Sequence, residues 1–136
     1  MLVSQHTDVR HDRSLSVLIV EDEPTSRAAL SMLLAAYGYR TFPVASGEEA
    51  LSLLSSEPDA RDGHAVVAII DVDLPGMNGV ELMERLRAQD PSFPAVFVTA
   101  AARERMNDLA NRGVPLLRKP LDFRHLLTIL SEQQAH

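Results

Sequence analysis

AVVAIIDVDLPGMNG, residues 65–79, decides how the rest of the chain is read. Its opening run, Ala65 to Ile70, is apolar without alternation and rich in β-branched residues, the pattern of a strand buried on both faces of a parallel sheet. Such a strand is central. Asp71 follows directly, and Pro75, Gly76, Asn78 and Gly79 then stop the strand and turn the chain. Open parallel sheets bind ligands beyond the carboxyl ends of their strands, so Asp71 stands where chemistry is done, as a nucleophile, a metal ligand or both.

Working outward, Ser16 to Val20 (SVLIV) reads as a second buried strand, and it ends in Glu21, Asp22, Glu23 and Pro24. Pro24 suits the first turn of a helix, where preceding acids complement the dipole. That accounts for one or two of the acids; three at a strand end matching Asp71 suggest a shared cation site. The helix from Pro24 is expected to bury a stripe of Ala28, Ala29, Met32, Leu33 and Ala36, with Gly38 at its C-terminal end. A short strand, Tyr39 to Val44, precedes a helix opened by Ser46 and Glu49 in capping-box spacing and carrying Ala50, Leu51, Leu53 and Leu54. EPDARDG, residues 57–63, is a polar loop.

Beyond the central strand, Asn78 can cap a helix carrying Val80, Leu82, Met83 and Leu86 that ends near Asp90 and Pro91; Met83 is core filler there. A fourth strand, Ala95 to Val98, places Thr99 at its carboxyl end. Residues 102–112 form a weakly apolar helix held by Met106, Leu109 and Ala110, stopped by Gly113, and expected to move. Val114 to Arg118 is a fifth strand; Pro115 cannot donate to a ladder and assigns it to a sheet edge. Lys119 and Pro120 end it. Phe123, Leu126, Leu127 and Leu130 fall at helical spacing and close the domain, with His125 between them facing solvent. Strands alternating with helices imply an α/β fold, a parallel sheet covered on both faces by right-handed crossovers.

With 136 residues and 46% hydrophobic content the chain has the size and core of one domain. Residues 1–14 are polar and aperiodic and are expected to form a flexible arm; His6, His11, Asp8 and Asp12 within it read as solvated residues rather than a metal cluster. The domain proper is expected over residues 15–134, with no output domain. The absence of Cys removes disulfides, thiolate metal sites and Cys nucleophiles. A net charge of -6 argues against nucleic acid and anionic membranes as partners and favours proteins. No apolar run has the ~20 residues of a membrane span, so a soluble, cytoplasmic protein is expected.

Parallel strands deliver Glu21, Asp22, Asp71, Thr99 and Lys119 to one sheet edge although they are distant in sequence. Clustered carboxylates repel and call for a hard divalent cation such as Mg²⁺. A metal and Lys119 together neutralise an incoming phosphate, Thr99 donates a hydrogen bond to a phosphoryl oxygen, and Asp71 is placed to attack phosphorus, giving an aspartyl phosphate.

VLIVEDEP, IIDVDLPGMNG, FVTAA and RKP, in this order and spacing, resemble the receiver domain of bacterial two-component response regulators, from about Ser16 to Leu130. The resemblance implies a flavodoxin-like five-stranded parallel sheet of order 2-1-3-4-5 with five helices. It implies phosphoryl transfer from a phosphohistidine of a sensor kinase or phosphotransfer protein to Asp71, with slow self-catalysed loss rather than enzymatic turnover. It further implies Mg²⁺ held by Glu21, Asp22, Asp71 and the backbone carbonyl of Asp73. Thr99, Lys119 and the Ala100 N–H would contact the phosphoryl group, the Lys119–Pro120 bond would be cis, and output would pass to a protein through the face of the fourth helix, fifth strand and fifth helix.

Several positions depart from the family pattern. Leu116 stands three residues before Lys119, where receivers usually carry an aromatic that swings inward, so signalling is expected to run through backbone shifts of the fourth helix and the loop after Thr99. Pro115 beside it stiffens that edge. Glu21 replaces the more frequent Asp. Asp73 and Ala101 occupy positions that in the family tune how fast water removes the phosphate. Two alternatives stand beside this reading. The first is a pseudo-receiver that keeps the fold without being phosphorylated; the intact site set argues against it, and Leu116 keeps it open. The second is a haloacid-dehalogenase-like phosphatase, suggested by Asp71-Val72-Asp73 but disfavoured because those enzymes place this motif on the first strand and their acidic pair later.

Overall fold

The computed structural model describes residues 15–56, 66–100 and 103–134. The N-terminal arm, the polar loop, Ala65 and Ala101 lie outside the described residues. In chain order the elements are β1 (Ser16–Val20), α1 (Pro24–Ala36), β2 (Arg40–Val44), α2 (Gly47–Ser56), β3 (Val66–Asp71), α3 (Gly79–Gln89), β4 (Ala95–Thr99), α4 (Arg103–Ala110), β5 (Leu116–Arg118) and α5 (Phe123–Gln134).

Every strand pairing is parallel, and the sheet order is β2-β1-β3-β4-β5. The chain therefore steps outward from β1 to β2, returns past β1 to β3, and continues the other way. The order reverses between β1 and β3, and a crevice opens there at the carboxyl ends of the strands.

Alternation along each strand feeds two cores. Leu18, Val20, Ala68, Ile70, Ala95 and Phe97 face one side with Ala50, Leu82, Leu86 and Leu109 of the covering helices. Val17, Ile19, Val67, Ile69, Val96 and Val98 face the other with Leu34, Leu126 and Leu130. Burial on both faces is the physical reason that β1 and β3 read as uninterrupted apolar runs.

Local signals hold at most helix ends. Asn78 Oδ1 accepts from the Glu81 N–H at 2.9 Å, and Ser46 Oγ accepts from the Glu49 N–H at 3.1 Å. Glu23 is the N-cap of α1, accepting from the N–H groups of Thr25 and Ser26. Gly38, at φ 94°, follows the last turn of α1, and Gly113, at φ 72°, follows α4. Met83 and Leu109 are buried as expected, and His125 is exposed.

Apart from shifts of one or two residues at the ends of β2 and α4, three features differ from expectation. β5 begins at Leu116 rather than Val114, because Pro115 has no N–H for the ladder; its carbonyl still accepts from the Phe97 N–H at 2.8 Å. In α4, Ala110 is exposed and leaves Leu109 on the core side. The stripe expected on α1 is the larger correction. Ala28, Ala29 and Ala36 are exposed, Met32 is 72% and Leu33 47% accessible, and the residues that reach the core are Leu34, fully buried, and Leu30, half-buried.

The inward line of α1 instead runs through Arg27, Leu30, Ser31 and Leu34. Arg27 Nη1 donates to the carbonyl oxygens of Glu21 (2.9 Å) and Asp22 (3.3 Å). The Ser31 and Thr41 hydroxyls are hydrogen-bonded at 2.8 Å. With apolar residues at most positions from Ala28 to Ala36, hydrophobicity has no single phase, and the two polar tethers set the rotation.

Candidate functional site

Glu21 and Asp22 follow β1, Asp71 ends β3, and Lys119 follows β5, so the crevice at the order reversal collects three carboxylates and an ammonium. One oxygen from each of Glu21, Asp22 and Asp71 can be chosen so that all lie within 4.8 Å of one another. Glu21 and Asp71 are buried and Asp22 is exposed, so the cluster has an inner wall and an open side.

The two buried carboxylates are fully engaged. Lys119 Nζ donates to Glu21 Oε1 at 2.9 Å and to Asp71 Oδ2 at 3.1 Å. The remaining oxygens accept backbone N–H groups, Glu21 Oε2 from Glu23 at 3.1 Å and Asp71 Oδ1 from Asp73 at 2.9 Å. Burial pushes the Glu21 carboxyl above its usual range, and the Asp71 charge adds to this against the counter-pull of Lys119 and the Glu23 N–H. For Lys119, burial favours the neutral amine, but its hydrogen bonds to Glu21 and Asp71 win and its pKa is raised.

Packing holds Asp71 in place. Gly79, the first residue of α3, donates its N–H to the Val72 carbonyl at 3.0 Å. A Cβ there would lie 2.6 Å from the Asp71 carbonyl oxygen and 2.8 Å from the Val72 Cα. Only a residue without a side chain allows α3 to start this close to the acid. The Lys119–Pro120 peptide is cis, and the Lys119 N–H donates to the Thr99 carbonyl at 2.8 Å, tying the ends of β4 and β5 together.

Thr99 is buried at the end of β4, and its hydroxyl donates to Asp73 Oδ2 at 3.1 Å. The expected set thus converges, with Thr99 bonded to the neighbouring turn. Ala100 is exposed at the rim. Leu116 pairs in register with Phe97 and packs, half-buried, against the core under α3 and α4.

Sequence reasoning missed two participants. Arg27 fastens the backbone of both β1 acids, and the only hint was an Arg on the second turn of a helix that follows an acidic pair. The Asp73 side chain, considered as a backbone ligand and a tuning position, is the partner of Thr99; no local pattern connects residues separated by 26 positions.

The donor set is all oxygen, partly charged, with one open side, which suits a small hard cation such as Mg²⁺ that keeps some of its waters. No helix among the described residues is long and apolar enough to cross a membrane.

A doubly wound sheet with an acidic pocket and a lysine at its order reversal defines the class, a flavodoxin-like α/β receiver. The response regulator receiver domain family matches residues 17–131, and the chain belongs to that family. A receiver domain is not itself a turnover enzyme, which sets aside the phosphatase alternative. The two-component response regulator PhoP of Pseudomonas aeruginosa is 34% identical over 114 residues, 82% of this chain and 48% of that protein. The sensor protein EvgS of Escherichia coli K12 is 37% identical over 126 residues, 90% of this chain and 10% of that protein. The chain thus spans about half or less of the length of these relatives.

Among solved structures, the CheY-like receiver protein of Methanospirillum hungatei superposes with a TM-score of 0.74 at 27% identity, covering 88% of this chain and 93% of that one. The response regulator TrrA of Thermotoga maritima, solved with Mg²⁺ and beryllofluoride, gives 0.71 at 26% identity, covering 86% and 96%.

Proposed function

We propose that this receiver takes a phosphoryl group from a phosphohistidine, on a sensor kinase or a phosphotransfer protein, onto the Asp71 carboxylate. The observation that carries this reading is the position of Asp71. It is a buried carboxylate at the order reversal of the sheet, bridged by Lys119 to Glu21 and backed by Gly79. The Asp71 carboxylate is held at both oxygens, by Lys119 and by the Asp73 N–H, and one of them needs only to exchange a hydrogen bond to become a nucleophile.

In the transfer, an Asp71 oxygen forms the new O–P bond as the P–N bond of the donor breaks, and the imidazole leaves with the electron pair. Lys119, already 3.1 Å from Asp71 Oδ2, follows the charge onto the phosphoryl oxygens. Thr99 and the Ala100 N–H hydrogen-bond the same group from β4. Glu21, Asp22, Asp71 and the Asp73 carbonyl would hold Mg²⁺, which when bound supplies positive charge against the phosphoryl oxygens. Glu21 and Glu23 orient the β1 side, with Arg27 gripping its carbonyls.

The receiver unit is assigned to residues 15–134, acting in the cytoplasm. Output is a change in a protein contact over the face of α4, β5 and α5. Leu116, too small to act as a swinging aromatic, passes the change through its packing against Phe97.

Intact mass after incubation with Mg²⁺ and a small phosphoramidate tests the assignment. One phosphoryl adduct is expected, lost with EDTA and lost in Asp71→Asn. An unmodified wild-type protein that nonetheless binds Mg²⁺ would instead support a pseudo-receiver.

A further inference from the structure

We infer that the Asp73 side chain is a positioning residue that holds the Thr99 hydroxyl out of the phosphoryl site in the resting protein, so that activation requires an exchange of one hydrogen bond. The inference rests on the proposed phosphorylation of Asp71. It concerns what the acceptor site must break, and it is separate from any effect of residue 73 on the approach of water.

The geometry is specific. A threonine hydroxyl has one hydrogen to donate, and the Thr99 hydroxyl points that hydrogen at Asp73 Oδ2 across 3.1 Å. Thr99 is fully buried, so its side chain cannot choose among solvent partners. The Asp73 backbone is fixed by its N–H bond to Asp71 Oδ1 and by the buried side chains of Val72 and Leu74 on either side. One residue therefore contacts both the proposed acceptor, through its N–H, and the proposed phosphoryl ligand, through its carboxylate.

A charged acceptor makes this bond about twice as strong as a neutral one. A phosphoryl group on Asp71 competes for the same hydrogen and places its own negative charge beside Asp73, weakening the resting arrangement from two directions. The Asp73 carboxylate thus biases the resting and active states of Thr99 without touching the reacting atoms, and removing it shifts the balance toward the active one.

The test is titration of the metal-loaded protein with beryllofluoride, a stable stand-in for the phosphoryl group, by calorimetry or fluorine resonance. Wild type is compared with Asp73→Asn, Asp73→Ala, Thr99→Val and the Asp73→Ala/Thr99→Val pair. Asp73→Ala is expected to tighten binding about fivefold, the scale of one partly exposed charge-assisted hydrogen bond. Asp73→Asn gains less, and Asp73→Ala gains nothing in the Thr99→Val background. In metal-free protein, the Thr99 methyl couplings should pass from one rotamer to an average when Asp73 is replaced by Ala.

Unchanged affinity in Asp73→Ala, or an equal gain with and without the Thr99 hydroxyl, overturns the inference; the latter would mean charge repulsion alone. A single unchanged rotamer overturns it as well. Failure of wild type to bind beryllofluoride at all would instead bring down the phosphorylation reading and this inference with it.

Discussion

The centre and the edge of the sheet are built to different standards. β1 pairs with β3 along its full length and both are buried throughout, and the residues that follow or end them are Glu21, Asp22 and Asp71. β5 is three residues long with one buried side chain, on an edge, and it leads into Lys119. The acids that must keep their spacing grow from the stiff centre, whereas Lys119, which would follow a phosphoryl group, comes from the edge. Geometry that is used once per reaction belongs on rigid elements, and geometry that must change belongs where little packing resists it.

The largest effect expected from this difference is at Ile70, fully buried in the central strand next to Asp71. Ile70→Ala should cost about 4 kcal/mol in a denaturant melt. A loss as small as that of an edge residue would break the comparison. Gly79→Ala comes next, at about 3 kcal/mol, because backbone of β3 rather than a flexible side chain stands in the way of the new Cβ. It should also impair phosphoryl uptake more than its stability loss explains.

Lys119→Met is expected to cost about 1–2 kcal/mol, since it leaves the Glu21 and Asp71 charges facing each other while the pocket stays partly open to water. The pH dependence follows from the raised pKa of Lys119. Its contribution is fully present below its ordinary value of 10.5 and is lost as the pH rises through the higher folded value. Thermal melts of wild type should fall across that alkaline window, and those of Lys119→Met should be flatter there.

Leu116→Ala, on the half-buried edge, should cost about 1 kcal/mol and change partner binding more than phosphorylation. The smallest shift is at Glu21→Gln. A carboxyl with a raised pKa stabilises the fold when protonated and loses that contribution as the pH climbs through its folded value, so its charge at neutral pH is a burden. In metal-free buffer the Gln variant should melt slightly higher than wild type, and it should bind Mg²⁺ more weakly. A lower melting temperature would show that the bond to Lys119 outweighs burial.

Much of this was legible in the residue pattern because parallel strands carry their own label. Four apolar runs ending in polar residues and a short second strand, separated by helices with capping signals at Ser46 and Asn78, lead to the alternating architecture with few alternatives. α1 was misread at the level of its face. Its apolar residues are spread around the helix, so periodicity could not tell Leu33, exposed, from Leu34, buried. The polar anchors Arg27 and Ser31 that settle the matter bond to the β1–α1 loop and to β2, which are partners that a local window does not contain.

The sequence by itself determined which residues end the strands, and hence that Glu21, Asp22, Asp71, Thr99 and Lys119 share one edge of the sheet, because strand burial and chain reversal are written in local composition. Only the tertiary structure decided who bonds to whom there. Lys119 bridges Glu21 and Asp71, Arg27 holds the carbonyls of Glu21 and Asp22, and Thr99 gives its hydrogen to Asp73. A hydrogen bond selects its partner by distances of a few tenths of an ångström. Those distances are set by the packing of the whole sheet and its helices, not by any segment that contributes a residue.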